Sequence, residues 1–287
     1  MITRFPRSHS SEDTTMIQKA EIRSDTPIAT PDEAIRIIER SNASSAQKLF
    51  MSAIINHGQA FNYDFGQEIA CILDVSEIFN HGVNVHLMRA TTHELAGRLW
   101  NINASVALTA ASGGNIFTSM ICEELDIPNM IYAAKQPNII QKHNGYLTTR
   151  ASSYTGGHDI ELAISSSLLK PTDRVLIVDD FIDTGKMTKN LLNLVHQAGA
   201  QPTALAYAIN KMYAGGNSVV AELAKAENIS PNHIVSFLSI QAMQEGAIWF
   251  DGMSQPFAFR QQSNAHAVES QENDWPYDPD AYLYREQ

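Results

Sequence analysis

Short apolar runs alternate with amphipathic stretches through the middle of this chain, and the alternation predicts its architecture. Val175 to Val178 is an uninterrupted branched-aliphatic run, the pattern of a strand covered on both faces of a parallel sheet. A helical stripe of Met187, Leu191, Leu194, Val195 and Ala198 follows, stopped by Gly199, and then a strand-like run from Ala204 to Ile209. Strand, helix, strand in that order is a βαβ unit. Upstream, Ser105 to Leu108 and Met130 to Ala133 read as further strands around a predicted helix from Ile116 to Leu125. The polar stretch from Gln136 to Asp159, with Gly145, Gly156 and Gly157, predicts a long loop or hairpin. The expected fold class is α/β: an open, mostly parallel sheet flanked by helices.

Three helical patterns precede this unit. Thr30-Pro31-Asp32-Glu33 reads as a helix start, with Thr30 as N-cap, Pro31 in the first helical position and Glu33 closing a capping box. A second pattern runs through Leu49, Phe50, Ala53 and Ile54 to a stop at Gly58, and a third places Leu87, Met88, Leu95 and Leu99 on one face of the segment from Asn84 to Trp100. Residues 1–30 lack hydrophobic periodicity, and an ordered state there is not expected to offset its entropic cost. Residues 31–255 are read as one domain whose N-terminal helices form a small hood. Residues 256–287 are read as an acidic tail with interspersed aromatics, Trp275, Tyr277, Tyr282 and Tyr284, able to dock on the domain or on a partner subunit.

Composition narrows the function classes. With 287 residues, 44% of them hydrophobic, the chain has ample material for a buried core. Thirty-one acidic against 20 basic residues give a formal charge of −11, which repels a phosphate backbone and argues against general nucleic-acid binding. No apolar stretch is long enough to span a membrane, and Met1 to Thr15 has no apolar leader region. The two cysteines, Cys71 and Cys122, have no ligand or redox spacing and are expected as free thiols in a reducing, cytoplasmic setting. His57, His81, His86 and His93 match no metal-ligand pattern.

The chemistry is concentrated after the buried strand. Asp179 and Asp180 stand at its C-terminal end, and Phe181-Ile182-Asp183-Thr184-Gly185-Lys186-Met187-Thr188 leads into the next helix. Ligand crevices in open α/β sheets lie outside the strand C-termini. A phosphate there would meet free main-chain N–H groups at the positive end of the helix, with the Thr184 and Thr188 hydroxyls as added donors. Gly185 allows close backbone approach. The paired acids suit sugar hydroxyls beside the phosphate.

This stretch resembles the phosphoribosyl-diphosphate signature of the type I phosphoribosyltransferases, and within that family the resemblance points to the bacterial xanthine-specific subfamily. Leu73-Asp74-Val75-Ser76-Glu77-Ile78-Phe79-Asn80-His81 is similar to the subfamily's base-binding segment, which implies purine contacts for Leu73 and Asn80. Ala111-Ser112-Gly113 and Ala133-Ala134-Lys135 are similar to the segments facing pyrophosphate, Ser153-Tyr154-Thr155 to the flap, and Asn210-Lys211-Met212-Tyr213 to the segment whose Lys and aromatic contact the purine. The resemblance covers roughly Ile54 to Phe250 and leaves both ends of the chain outside it.

It implies an enzyme that transfers a ribosyl 5-phosphate to a purine base with Mg²⁺, and a homodimer. Phosphoribosyl diphosphate would be held by Ser112, Gly113, Lys135, Ser153, Tyr154, Asp179, Asp180, Asp183, Thr184, Gly185, Lys186, Met187 and Thr188. Asp179 and Asp180 would reach the metal, directly or through water, and the base would lie against Leu73, Asn80, Lys211 and Tyr213. Asp183 is similar to the acid that stands beside the imidazole nitrogen in hypoxanthine-guanine enzymes, which implies a proton acceptor and a 6-oxopurine substrate with Lys211 on the 6-oxygen. As a bare carboxylate near a helix N-terminus it would be favourable and catalytically idle. Ala110, Ala134, Gln136 and Asn210 depart from the subfamily's usual residues. A regulator that senses phosphoribosyl diphosphate or a nucleotide in the same pocket is the alternative, although Pro31 to His57 offers no basic DNA-binding module.

Overall fold

The computed structural model describes residues 21–66, 69–111, 113–152 and 159–261. Two N-terminal helices, α1 (Pro31–Arg40) and α2 (Ser45–His57), lead into a hairpin of β1 (Gln59–Asp64) and β2 (Ile69–Asp74). The predicted capping box forms at Thr30 and Glu33, and Ser44 with Gln47 repeats it at the start of α2. A π-helical turn, Ser76–Asn80, joins the hairpin to α3 (Val85–Arg98). The α/β unit then runs β3 (Val106–Ala110), α4 (Gly114–Glu124), β4 (Met130–Ala133), α5 (Ile139–Asn144), β5 (Tyr146–Ser152), β6 (Asp159–Ser165), β7 (Arg174–Ile182), α6 (Lys186–Gln197), β8 (Gln201–Lys211), α7 (Gly216–Ala226), β9 (Ile234–Gln244), β10 (Ala247–Phe250) and β11 (Phe257–Ala258).

Seven strands form the main sheet in the order β11-β10-β9-β8-β7-β3-β4. The five from β9 to β4 are parallel, and β10 and β11 add antiparallel at one edge. Chain order reverses between β3 and β7, so the crevice above their C-terminal ends is the expected ligand position. Strand β7 explains its own apolar run. Leu176 and Val178 enter the core shared with α2, α3 and α4, while Val175 and Ile177 enter the core under α6 and α7. Strand β8 repeats the division, with small Ala204, Ala206 and Ala208 on the first side and Leu205 and Tyr207 on the second.

The polar stretch after Gln136 contains the short helix α5 and then the β5–β6 hairpin. That hairpin is tied down at both sides: Ala134 bridges Ala163, and the Thr149 hydroxyl bonds Asn190 of α6 at 3.1 Å. Residues 1–20 and 262–287 lie outside the described residues. Within the two expected tails, Ala29 and the stretch from Pro256 to Phe259 are tied to the domain. Ala29 N–H donates to Pro256 at 3.0 Å, Ala258 N–H donates to Ala29 at 2.9 Å, and Phe257 and Phe259 are buried. The expected boundary at residue 255 therefore falls inside the folded unit, because Phe257 and Phe259 complete the core at the sheet edge. Among the described residues no helix is long and apolar enough to cross a membrane. Both cysteines are free thiols; Cys71 is half-buried and Cys122 buried.

Candidate active site

The structure carries β7 past the paired acids to Ile182, so Asp179 and Asp180 belong to the strand's last turns of pleat rather than to a loop. Strict alternation breaks there: Phe181 packs with the core of Leu176 and Val178, Ile182 packs with that of Val175 and Ile177, and the two carboxylates stand close enough to act on each other. Asp179 is aligned with Tyr207 of β8, and the main-chain nitrogen of Asp180 lies beside the start of α4. The Asp179 carboxylate accepts the Asp180 N–H at 3.1 Å and the Asp180 carboxylate accepts the Phe181 N–H at 3.0 Å. Gly114, the first residue of α4, packs where a Cβ would collide with the Thr109 hydroxyl and lie 3.7 Å from the Asp180 nitrogen. A side chain there would push α4 off the acids, which is the physical reason for glycine beside Gly113.

Beyond Ile182 the chain turns through Asp183 and Thr184 to Gly185, whose φ of 77° is the left-handed region that glycine enters without strain. Helix α6 starts there without a side-chain cap, and its first main-chain bond runs from Lys189 to Gly185. The N–H groups of Lys186, Met187 and Thr188 are thus left at the helix N-terminus, the arrangement that receives a phosphate. Their side chains do something else. Lys186 is exposed, and Met187 packs on the α6 core. The Thr188 hydroxyl, expected as a phosphate donor, is turned inward: Thr188 is 2% exposed and its Oγ1 lies 2.9 Å from the Tyr207 hydroxyl.

Register does the rest. Ile182 of β7 is aligned with Asn210 of β8, so the next residues, Asp183 and Lys211, emerge side by side. Lys211 Nζ lies 3.3 Å from Asp183 Oδ2 and 4.9 Å above the ring of Phe181. Lys211 is only 8% exposed, and an ammonium so buried is tolerable because a carboxylate and an aromatic face replace its water. Asp183 is held from behind as well: its carbonyl accepts the Gly216 N–H at 2.9 Å, and a Cβ on Gly216 would collide with that carbonyl.

The remaining predicted residues divide. Leu73 is 6% exposed and packs into the core, on the face of β2 that also carries Cys71. Burial pushes the Cys71 thiol up while the Lys211 ammonium pulls against it. Asn80 closes the π-helical turn, and Tyr213 is half-buried in the turn after β8. Lys135 is exposed just past the C-terminal end of β4. Ser112, Ser153 and Tyr154 lie outside the described residues.

No family model matches the chain. Xanthine phosphoribosyltransferase of Streptococcus equi subsp. equi is 32% identical over 178 residues, covering 60% of this chain and 91% of that protein. The chain belongs to the type I phosphoribosyltransferase family. A second relative, xanthine phosphoribosyltransferase of Oenococcus oeni, is 29% identical over 179 residues and is covered to 82%. Among solved structures, adenine phosphoribosyltransferase of Thermoanaerobacter pseudethanolicus superposes with a TM-score of 0.52 at 15% identity, over 68% of this chain and 99% of that one. The Trypanosoma brucei adenine enzyme, in complex with AMP, pyrophosphate and ribose-5-phosphate, gives 0.52 at 19% identity, over 69% and 81%. At these identities the likeness to the adenine enzymes is one of fold.

For this phosphoribosyltransferase the acid pair has a measurable signature. Burial, and then each other's charge, push the Asp179 carboxyl well above the ordinary value of 3.8; burial also raises Asp180. The folded state therefore holds protons that the unfolded chain has released, and stability falls as pH rises from about 4 through the pair's raised range. Asp179→Asn removes that charge. It is expected to melt higher than the wild type near neutral pH and with a flatter pH dependence, while activity falls about 10²-fold. Melting curves between about pH 4 and pH 8 test this; a variant that melts lower and keeps the wild-type slope would show that the carboxylate stabilises the fold where it stands.

Phe181, Tyr207, Gly114 and Gly216 were not among the residues picked out of the sequence as site residues. Glycine pairs at Gly113-Gly114 and Gly215-Gly216, each opening a helix after a strand, are the signal that would have found two of them.

Proposed function

We propose that this phosphoribosyltransferase joins the ribosyl 5-phosphate group of phosphoribosyl diphosphate to a 6-oxopurine, xanthine ahead of guanine and hypoxanthine, with release of pyrophosphate. The observation that carries the reading is the Lys211–Asp183 pair, an ammonium donor 3.3 Å from a carboxylate acceptor. A 6-oxopurine presents a carbonyl oxygen next to an imidazole N–H, the complementary pattern. A 6-aminopurine would turn an N–H group toward the ammonium, and mismatched buried donors discriminate strongly. Xanthine as first choice is supported by the names of the sequence relatives. The names of the structural neighbours weigh little against it, because fold is all those neighbours share with this chain.

In this reading the amides of residues 186–188 and Thr184 hold the 5′-phosphate, and Asp179 and Asp180 accept hydrogen bonds from the ribose hydroxyls. Gly113 and Lys135 contact the pyrophosphate, and Ser112, Ser153 and Tyr154, which lie outside the described residues, are assigned to phosphoribosyl diphosphate as well. Leu73, Asn80 and Tyr213 border the base. The C1–O bond breaks with its electron pair leaving on pyrophosphate, the base nitrogen forms the new bond to C1, and the proton displaced from the base passes to Asp183. Asp179 and Asp180 would hold Mg²⁺, directly or through water, and the ion would supply positive charge to the leaving group. The adjacent carboxylates of Asp179 and Asp180 fit such an ion, which takes one or two carboxylates and fills its shell with phosphate oxygens and water.

We read the protein as a cytoplasmic salvage enzyme working as a homodimer; sedimentation as a monomer would count against the assembly. The direct test is pyrophosphate release from phosphoribosyl diphosphate and Mg²⁺ with xanthine, guanine, hypoxanthine or adenine supplied separately. Release is expected with xanthine above the other oxopurines and none with adenine. Release with adenine alone would overturn the base assignment, and tight binding of phosphoribosyl diphosphate without release would make the protein a sensor.

A further inference from the structure

Tyr207 lies at the centre of β8 and exposes none of its surface. Its Cα is aligned with that of Asp179 across the β7–β8 ladder, and its hydroxyl bonds Thr188 Oγ1 at 2.9 Å. One phenol thus links the strand beside the sugar-binding acids to the first turn of the phosphate-binding helix.

The fold does not require this polar pair for packing. Helix α6 is already anchored by Leu191, Leu192, Leu194 and Val195, all 2% exposed or less. A Phe and a Val would fill the same space with no polar atom to satisfy. What the apolar stripe lacks is direction at the N-terminus. That end begins at a left-handed glycine and has no side-chain cap; Asp183 is tied down just before it and Asn190 just after it, and the Thr188–Tyr207 bond is the one described side-chain bond made by the turn that carries the free amides.

We infer that Tyr207 is a positioning residue for the phosphoribosyl group: through Thr188 it fixes the first turn of α6 against β8 and so sets the amides of residues 186–188 at a defined distance from Asp179. The inference rests on the assignment of that turn to the 5′-phosphate. Substrate held at two points is sensitive to their separation, and a small displacement of one costs binding of the group that spans them.

Tyr207→Phe deletes one oxygen and keeps the ring. It is expected to raise KM for phosphoribosyl diphosphate about fivefold to tenfold, with kcat and the purine KM within about twofold. Calorimetric binding of ribose 5-phosphate is expected to weaken by the same factor, and that of pyrophosphate to stay unchanged. The double variant Thr188→Val/Tyr207→Phe removes both polar partners; it is expected to recover the wild-type Tm and keep the raised KM, which a merely structural bond would not do. A wild-type KM in either variant would overturn the inference, as would equal weakening of ribose 5-phosphate and pyrophosphate. A wild-type enzyme that does not bind ribose 5-phosphate at all would overturn the phosphate assignment, and the inference with it.

Discussion

Asp183→Asn is expected to lower kcat by about 10²- to 10³-fold while leaving the purine KM close to the wild-type value. The amide keeps the shape of the carboxylate and can still accept a hydrogen bond, so the base should still dock. It cannot take the proton that the base must lose as its bond to C1 forms. Steady-state kinetics with saturating phosphoribosyl diphosphate and Mg²⁺ separates the two effects. Equal turnover in the variant would reduce Asp183 to a carboxylate that stabilises the α6 N-terminus. Loss of the Lys211 ion pair will also lower the melting temperature, and the low exposure of Lys211 makes that cost real. It cannot mimic the kinetic signature, because an ammonium left beside an amide oxygen still donates to the 6-oxygen.

Lys211→Met is expected to act on the other half of the pair. The thioether follows the path of the lysine stem but donates nothing, so kcat/KM for xanthine should fall about 10³-fold and the discrimination against adenine should shrink by a similar factor. The wild-type fold places the ammonium over Phe181 and against Asp183, which prevents it from turning away to water. The quantity to measure is the ratio of kcat/KM for xanthine and adenine in both proteins. A variant that loses activity equally with both bases would show that Lys211 holds Asp183 in place and reads nothing on the purine.

These two residues also show where sequence reasoning reaches and where it stops. The strand that carries the acids was legible because a strand buried on both faces must be apolar throughout, and Val175 to Val178 is. The glycine turn before α6 was legible because Gly185 stops the strand run and precedes a helical stripe, and its left-handed φ is what the structure adds. The capping box at Thr30 and Glu33 was legible because both partners lie within one helical turn. Each of these is a local requirement met by residues close together in the chain.

The inward turn of Thr188 was not legible. A threonine in the first turn of a helix next to a phosphate loop looks like a ligand, and only the arrival of Tyr207 from the neighbouring strand decides that its hydroxyl faces the protein. The hairpin boundaries and the folded end at Phe257 to Phe259 were missed for a related reason: those segments are strands by virtue of what they pair with, β1 with β2 and β11 with β10, and short edge strands carry little pattern of their own.

By itself the sequence determined the βα unit, the acids at the end of its strand and the glycine turn before α6, since propensity and hydrophobic period act within a few residues. Only the tertiary structure decided that Asp183 meets Lys211, 28 residues further along the chain, and that Tyr207 grips Thr188. Both contacts follow from the parallel register of β7 and β8, and register is a property of two strands and their crossover that neither strand's sequence contains alone.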